Sequence, residues 1–349
     1  MAELTGMRLA VAGAGVLGLC TALRMAATGA SVEVWDPAPL GDNASGVAAG
    51  MIAPVGESLL DGASTRHLDL MLSARAGWAA LEILAPGLVI RRAGADFLFE
   101  GQAALSGAKI LLKAADLTVS AMDPRFLSRG RPAASEVMAL HSPDDWLIDA
   151  GAGLRALADA AAALGVSFVG RRLATADIAS FGAVILAAGM ETRRFADFAP
   201  ELSCLSPIKG QLLRLDGGPA DGPVLRAPDV YLVPQPGGAI VGATMEAGRD
   251  DRIVDADALR ALRRKLAQWA PDLATLPGTG FAAVRAATPD GLPLVGPSSA
   301  PRLYLATGAR RNGWLLAPLV SEMIVSYLSG GDGGPFAALL DPRRFGRAP

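Results

Sequence analysis

Cysteine and histidine are almost absent from this chain of 349 residues, which contains two of each. Cys20 and Cys204 lie far apart, without metal-ligand or redox spacing, which excludes a disulfide framework and favours a reducing compartment. His67 and His141 are equally isolated. The chain therefore has almost none of the residues that a metal site or a histidine-based catalytic triad needs, and we predict no bound metal.

The chain also lacks a strong charge of either sign. It has 32 Lys and Arg against 34 Asp and Glu, a formal net charge of −2. No basic stripe interleaved with aromatic residues is present, which argues against nucleic-acid binding. Apolar residues make up 51% of the chain, enough for a sizeable core. We expect a globular protein of two domains, since a domain has about 100–200 residues, with a small-molecule ligand.

Long hydrophobic runs are missing as well. Arg8 precedes an uncharged run, residues 9–23, that is similar to the apolar part of a signal peptide. Arg24 and Met25 follow it where a cleavage site would need small residues, so we reject that interpretation. No other segment approaches the roughly 18 apolar residues that span a bilayer. A soluble, cytoplasmic protein without a membrane span is expected.

The first 36 residues carry a strong structural pattern. Residues 7–12 form a short apolar run typical of a buried parallel strand, and residues 16–28 have helical spacing. Gly29 stands where a glycine commonly ends a helix, and residues 31–35 (SVEVW) predict a second strand. The pattern predicts a β-α-β unit.

Gly13, Gly15 and Gly18 give the spacing G-x-G-x-x-G between the first strand and the helix, and Asp36 follows the second strand. In a dinucleotide-binding unit these glycines allow a tight turn, close approach of the pyrophosphate and close packing of helix on strand. Asp36 would accept hydrogen bonds from a ribose, and its charge disfavours a 2′-phosphate. FAD or NAD is therefore predicted rather than NADP, against the alternative of a turn rich in small residues by accident.

Alternating helices and strands return later in the chain. Residues 149–164 predict an alanine-rich helix, and residues 183–187 and 303–306 predict strands. A last helix is predicted over residues 315–328, with Pro318 in its first turn, where proline is tolerated.

A different architecture is interleaved with this alternation. Residues 208–215, 230–233 and 239–241 predict strands, and the turn PQPGG between the last two predicts an antiparallel hairpin. The fold class expected is α/β combined with α+β.

Seven segments, spread from residue 11 to about residue 318, together resemble the D-amino acid oxidase family of flavoenzymes, and within it glycine oxidases of the thiamine-pathway type. They are GAGVLGL with VEVWD, NASGVAAGMIAP, IKGQLLRL, YLVPQPGGAIVGATME, VRAATPDGLPLVG and GARRNGWLLAP. The resemblance implies a Rossmann-type FAD-binding domain of the GR2-like DAO fold, with an interleaved, mostly antiparallel substrate domain. The FAD-binding domain would comprise residues 1–75, 141–205 and 280–349, and the substrate domain residues 76–140 and 206–279.

The resemblance also implies a set of FAD-binding residues, some in the glycine motif and others beside the pyrophosphate or the flavin ring. No cysteine lies near Arg285, where some relatives attach flavin covalently, so we expect non-covalent FAD. The predicted cofactor-binding residues are Gly13, Ala14, Gly15, Val16, Leu17, Gly18, Asp36, Asn43, Ser45, Ala48, Ala49, Gly50, Met51, Leu173, Ala188, Gly189, Arg285, Gly308, Arg311, Asn312, Gly313 and Trp314.

Four residues match positions that lie near the substrate in the family. Arg285 and Tyr231 would bind a substrate carboxylate, Met245 would form a pocket wall, and Arg311 would lie in a loop over the flavin edge. Alternatives remain open: Arg285 pairing with Asp290, Tyr231 as an aromatic core residue, Met245 as core filler, and Arg311 as solvated surface.

The implied reaction is oxidative deamination of glycine or another small amino acid, by hydride transfer from Cα to flavin N5. Hydrolysis of the imine would give an oxo acid and ammonia, and O2 would be reduced to H2O2. Alternatives within the family are a D-amino acid, sarcosine or imino acid oxidase, or a quinone-linked dehydrogenase. Outside it, a nicotinamide-binding module or a non-catalytic flavin subunit stays open, and the resemblance allows a homo-oligomer.

Overall fold

The computed structural model describes residues 4–61, 65–122 and 137–345. Residues 123–136 of the predicted substrate domain lie outside the described residues, as do residues 1–3, 62–64 and 346–349. Within the described ranges, every helix is too short or too polar to cross a bilayer.

Strands and helices are numbered separately in chain order. The strands are β1 Arg8–Ala12, β2 Ser31–Trp35, β3 Met51–Ile52, β4 Ile90–Arg91, β5 Ala95–Glu100, β6 Ser120–Met122, β7 Val137–Ser142, β8 Trp146–Ile148, β9 Ser167–Val169, β10 Ala183–Leu186, β11 Ser206–Leu215, β12 Val224–Ala227, β13 Val230–Gln235, β14 Gly238–Gly242, β15 Glu246–Ala247, β16 Gly278–Ala287, β17 Leu294–Pro297 and β18 Leu303–Thr307. The α-helices are α1 Val16–Ala27, α2 Ala44–Val47, α3 Pro54–Leu60, α4 Leu68–Ala76, α5 Trp78–Leu84, α6 Gln102–Ala114, α7 Ala150–Ala163, α8 Ala256–Ala267, α9 Pro271–Ala274, α10 Gly313–Leu328 and α11 Ala337–Leu340. Short 3₁₀ helices cover Thr65–His67, Thr175–Ser180, Gly189–Phe195, Pro200–Cys204 and Pro342–Phe345.

One sheet of the described chain has six strands in the order β17-β18-β10-β1-β2-β9, all parallel except β17. Helices α1, α7 and α10 pack on one face in a large apolar cluster, and a second cluster covers the other face. Burial on both faces explains why residues 9–12 of β1 and all of β10 are continuous apolar runs. The predicted β-α-β unit is confirmed, with β1 and α1 within one residue of expectation.

A second, nine-stranded sheet in the described chain runs β15-β11-β14-β13-β12-β5-β7-β6, and β16 also pairs with β11. All its pairs are antiparallel except β12 with β5. The predicted hairpin is β13 and β14, joined at Pro236 and Gly237, whose φ of +82° suits the third position of a type II turn. The expected fold class, a Rossmann-type unit with an interleaved antiparallel sheet, is confirmed.

The predicted helix ends follow local chemistry. Gly29 and Gly165 follow the C-cap residues Thr28 and Leu164 of α1 and α7. Their φ values of +89° and +87° lie in the backbone conformation that glycine adopts without strain. Asp149 caps α7 by accepting a hydrogen bond from the Ala152 amide at 2.6 Å.

The prediction for the last helix is wrong in one respect. Helix α10 begins at Gly313, so Pro318 lies in its second turn. Proline has no N–H, which leaves the carbonyl of Trp314 without its helical donor. The indole Nε1 of Trp78 donates to that carbonyl at 3.1 Å, and the two indoles stack with centroids 6.0 Å apart. A tertiary contact thus stabilises the proline in the helix.

A three-stranded sheet of the described residues, β3-β8-β4, joins segments that are distant in the chain. Strand β16 begins in the second sheet near residue 280, one of the predicted domain boundaries. The domain boundaries given above stay a prediction.

Candidate active site

A cavity of about 510 Å³ opens beyond the carboxyl ends of β1, β10 and β18. In open parallel sheets this edge is where ligands bind. Most of the predicted cofactor-binding residues line it, namely Gly13, Gly15, Val16, Leu17, Asp36, Asn43, Ser45, Ala48, Leu173, Ala188, Gly189, Arg285, Gly308, Arg311, Gly313 and Trp314. The walls do not include Ala14, Gly18, Ala49, Gly50, Met51 or Asn312.

The glycine motif makes a turn that excludes side chains. Gly13 has φ of +111°, and a Cβ there would lie 2.6 Å from the Ala187 carbonyl oxygen. A Cβ on Gly18 would lie 2.0 Å from the Gly13 carbonyl oxygen, and one on Gly15 would lie 3.1 Å from Ser45 Oγ. Helix α1 therefore packs directly against the end of β1, and the turn presents bare backbone to the cavity.

Asp36 stands at the cavity wall where β2 ends. Its Oδ2 accepts a hydrogen bond from the Ala14 amide at 2.8 Å, and its Oδ1 accepts one from the Ala38 amide at 2.9 Å. These two bonds orient the carboxylate, and each oxygen retains a lone pair for a further donor. A ribose bearing two hydroxyl groups fits this arrangement.

Two helix N-termini face the same cavity. Helix α1 begins without a side-chain cap, and its Val16 amide donates to Ser45 Oγ at 3.1 Å. Helix α10 begins at Gly313, and its Trp314 indole donates to the Ser45 carbonyl oxygen at 3.0 Å. The partial positive charge of a helix N-terminus favours anionic groups. Bare glycine backbone, an oriented acid and helix N-termini together fit a dinucleotide.

The predicted segment 43–51 is engaged partly in local structure. Asn43 Oδ1 accepts hydrogen bonds from Ser45 and Gly46 amides at 3.0 and 3.1 Å and so caps α2. Gly50 has φ of +72°, and a Cβ there would lie 1.8 Å from the Ile148 carbonyl oxygen. Packing against β8 therefore accounts for Gly50, while Ala48 is the member of the alanine pair that reaches the cavity.

Arg285 lies on β16 at the far end of the cavity. Its Nη1 donates to the Thr244 carbonyl oxygen at 3.2 Å and lies 3.2 Å from Met245 Sδ. The alternative pairing with Asp290 does not form, because Asp290 pairs with Arg344 at 2.8 Å. Among the described residues, no carboxylate pairs with the Arg285 guanidinium.

Burial acts on the charges at this end of the cavity. It lowers the pKa of Arg285, and the cations Arg311 and Arg310 lower that pKa further. Burial also raises the pKa of Tyr231, which the charge of Arg285 opposes. Within the part of the chain that the structure describes, the site thus holds a cation without a carboxylate partner beside a protonated phenol, a combination that favours an anionic ligand.

Two strand glycines make room for these side chains. A Cβ on Gly210 would lie 2.2 Å from Cζ, Nη1 and Nη2 of Arg285. A Cβ on Gly242 would lie 2.3 Å from the hydroxyl oxygen of Tyr231. Neither glycine is among the predicted site residues, although both lie in strands, where glycine often marks a close approach of another group.

A buried network of charged side chains was also not predicted from the sequence. Glu57 on α3 accepts hydrogen bonds from Arg311 Nε and, at 3.4 Å, from Arg226 Nη2. At the start of α3, Asp145 Oδ1 accepts a hydrogen bond from the Val55 amide at 2.8 Å. The sequence signal that could have predicted this network is a charged residue inside an apolar run, namely Glu57 in PVGESLL and Arg226 in VLRA.

Known proteins resemble the chain over nearly its whole length. A bifunctional protein of tRNA 5-methylaminomethyl-2-thiouridine biosynthesis, MnmC of Caulobacter sp. (strain K31), is 32% identical over 373 residues, 97% of this chain and 57% of that protein. The bifunctional protein ThiO/ThiG of Nostoc sp. (strain PCC 7120 / SAG 25.82 / UTEX 2576) is 29% identical over 362 residues, 92% of this chain and 52% of that protein. The chain therefore spans little more than half of the length of either relative.

Glycine oxidase of Geobacillus kaustophilus (strain HTA426) is 26% identical over 363 residues, 92% of each chain. A crystal structure of glycine oxidase from this species has a TM-score of 0.83 at 24% identity, with 97% of this chain and 99% of that chain covered. The predicted resemblance to glycine oxidases of the thiamine pathway is confirmed. The model of the family described as FAD dependent oxidoreductase, DAO, matches residues 8–327. The chain belongs to the DAO family of FAD-dependent oxidoreductases.

Proposed function

We propose that the chain oxidises glycine or another small amino acid at its amine-bearing carbon. The observation that carries this proposal is the Arg285 guanidinium, which lies at the end of the dinucleotide cavity without a carboxylate partner among the described residues. A guanidinium binds a carboxylate through two parallel hydrogen bonds, and its burial strengthens the attraction. The glycine oxidase relative, at 26% identity, supports the same substrate class.

Arg285, Tyr231 and Met245 would share the binding of the substrate. The Arg285 fork would hold the carboxylate, and the Tyr231 hydroxyl would donate a further hydrogen bond to it. Met245, whose Sδ lies 3.2 Å from Arg285 Nη1, would form a wall that limits the side chain of the substrate. Fixing one end of a small molecule in this way sets the position of its Cα–H bond.

The cavity walls beside Gly13, Asp36, Ser45 and the start of α10 would hold FAD. When bound, FAD supplies the two-electron oxidation and passes the electrons to an acceptor such as O2. We propose that it is bound non-covalently, because neither Cys20, buried in α1, nor Cys204 lines the cavity. Arg311 would lie over its edge.

Orientation of the substrate is the main contribution that we assign to the protein. Neither of the two histidines lines the cavity, and His141 is engaged with Asp96 at 2.7 Å. Positioning of reacting groups lowers a barrier by up to about 7–11 kcal/mol. A substrate bound with its amine neutral therefore needs no side-chain base.

The proposal is tested with the purified holoprotein. A yellow protein whose flavin bleaches on anaerobic mixing with glycine, D-alanine, D-proline or sarcosine supports it, and the rates rank these substrates. We expect Arg285→Gln to lower kcat/KM by about 10²- to 10³-fold, the loss typical of a buried charge pair. Arg260→Gln on the exposed face of α8 is the matched control. A flavin that none of the four amines bleaches would refute the proposal.

A second candidate comes from the Caulobacter relative, which is 32% identical over 97% of this chain. We propose as this alternative the oxidation of an amine carried on a modified uridine of tRNA. The near-neutral charge of the chain, −2, is unfavourable for a protein that binds tRNA unaided. Bleaching of the flavin by modified tRNA, and not by free amino acids, would establish the second candidate.

A further inference from the structure

Four arginines lie at the substrate end of the cavity, and the charges of three of them, Arg285, Arg226 and Arg311, act on Tyr231. Arg285, Arg310 and Arg311 line the cavity itself. Arg226 lies on β12, cross-strand from Tyr231, with its Cζ 5.8 Å from the centre of that ring. Four unopposed guanidinium groups in one buried region would repel one another strongly.

Carboxylates oppose three of these arginines. Glu57 pairs with Arg311 and with Arg226, and Asp61 pairs with Arg310 at 2.7 Å. Glu57 and Arg226 have exposed side-chain fractions of only 7% and 4%, so solvent screens this part of the network weakly. Of these four arginines, Arg285 is the one that has no carboxylate partner among the described residues.

We infer that Glu57 determines specificity by limiting the site to ligands with a single carboxylate. Its carboxylate occupies Arg311, a guanidinium on the cavity wall that would otherwise bind a second acidic group. It also repels a second acidic group directly. This inference rests on the proposed function and adds a restriction on substrate class: small monocarboxylic amines are accepted, and amines with two carboxylates are disfavoured.

The decisive change is Glu57→Gln, which keeps the size of the side chain and removes its charge. Buried Arg226 keeps a nearby counter-charge in Asp145, so the variant retains one acid beside this guanidinium. The freed hydrogen-bond donor on Arg311, which lines the cavity, would then donate to a second carboxylate. A hydrogen bond to a charged group contributes about 1.5–3 kcal/mol, which corresponds to a preference of about 10- to 100-fold.

The probes are two ligand pairs that differ by one carboxylate. Acetate and malonate are titrated into the holoprotein, and the change in flavin absorbance gives each Kd. Sarcosine and iminodiacetate are then compared by kcat/KM. For Glu57→Gln we expect the affinity for malonate relative to acetate, and the rate with iminodiacetate relative to sarcosine, to rise by about 10-fold or more.

The control is Asp257→Asn, which removes the carboxylate of an exposed pair with Arg260 on α8 and should leave both ratios unchanged. Equal weakening of acetate and malonate by Glu57→Gln, or unchanged ratios, would overturn the inference and assign Glu57 a structural role. If that variant does not fold, Arg311→Gln serves in its place. Arg311→Gln leaves Glu57 with less opposing positive charge, so the affinity for malonate must fall more than the affinity for acetate. A constant ratio of the two affinities refutes the inference.

The binding titration separates this inference from the proposed function. Acetate and malonate are not oxidised, so their Kd values report carboxylate recognition whichever amine the protein oxidises. A flavin that no amine bleaches, combined with a shifted malonate preference in Glu57→Gln, would refute the proposed substrate and retain the role of Glu57 in carboxylate selection.

Discussion

Gly210→Ala is the sharpest test of how the second sheet positions Arg285. In the antiparallel pair of β11 and β16, Gly210 is opposite Ala283 and Ile208 is opposite Arg285. The guanidinium lies over Gly210, and a Cβ there would lie 2.2 Å from three of its atoms. Carbon contacts are favourable at about 3.5–4.0 Å, so the guanidinium must move by more than about 1 Å.

The expected loss follows from that displacement. A misplaced guanidinium would give up the charge-assisted hydrogen bonds to the substrate that we propose for Arg285, at about 2–5 kcal/mol for a buried pair. This corresponds to a fall in kcat/KM of about 30- to 4000-fold. The fold should persist, because Gly210 has no positive φ that alanine would strain. FAD content should also persist, because Gly210 is absent from the dinucleotide cavity walls.

The assay compares kcat/KM, flavin content and Tm between the wild type and Gly210→Ala. Gly107→Ala on α6 is the matched control, since a Cβ there would have no atom within 4 Å. A Gly210→Ala protein that keeps kcat/KM within about threefold of the wild type would show that the guanidinium over Gly210 does not bind the substrate. Loss of flavin together with activity would instead indicate a general disturbance.

Three further changes test other parts of the structure. Gly18→Ala would place a Cβ 2.0 Å from the Gly13 carbonyl oxygen, so we expect a loss of about 1–3 kcal/mol in thermal unfolding and a lower flavin content. Burial raises the pKa of Asp145 from 3.8 to about 6, so its stabilising contribution is complete below pH 4 and is lost as the pH rises through 6. The free energy of unfolding, measured relative to Asp145→Asn, should therefore fall by about 3 kcal/mol between pH 4 and pH 7, and a flat difference would contradict the assignment. Trp78→Phe removes the donor to the Trp314 carbonyl oxygen and should lower the free energy of unfolding in urea by about 1–3 kcal/mol. An unchanged midpoint would mean that another group donates to this carbonyl oxygen.

The elements that sequence predicted best are those whose signals are local. The periodicity of β1, α1 and β2 and the glycine after α1 lie within a single β-α-β unit, so neighbouring residues suffice to predict them. The start of α10 was misplaced because Pro318 usually marks a first turn. Its tolerance in the second turn depends on the Trp78 indole, which is distant in the chain.

The sequence by itself determined the Rossmann-type unit, the interleaved antiparallel sheet, the family and 16 of the 35 residues that line the cavity, because these depend on short-range periodicity and on motifs with fixed spacing. Only the tertiary structure decided which of Arg226, Arg285, Arg310 and Arg311 has no carboxylate partner among the described residues. Glu57 pairs with Arg226 across 169 residues and with Arg311 across 254. Charge pairing depends on distance in space, and no local pattern specifies which of several arginines an acid will reach.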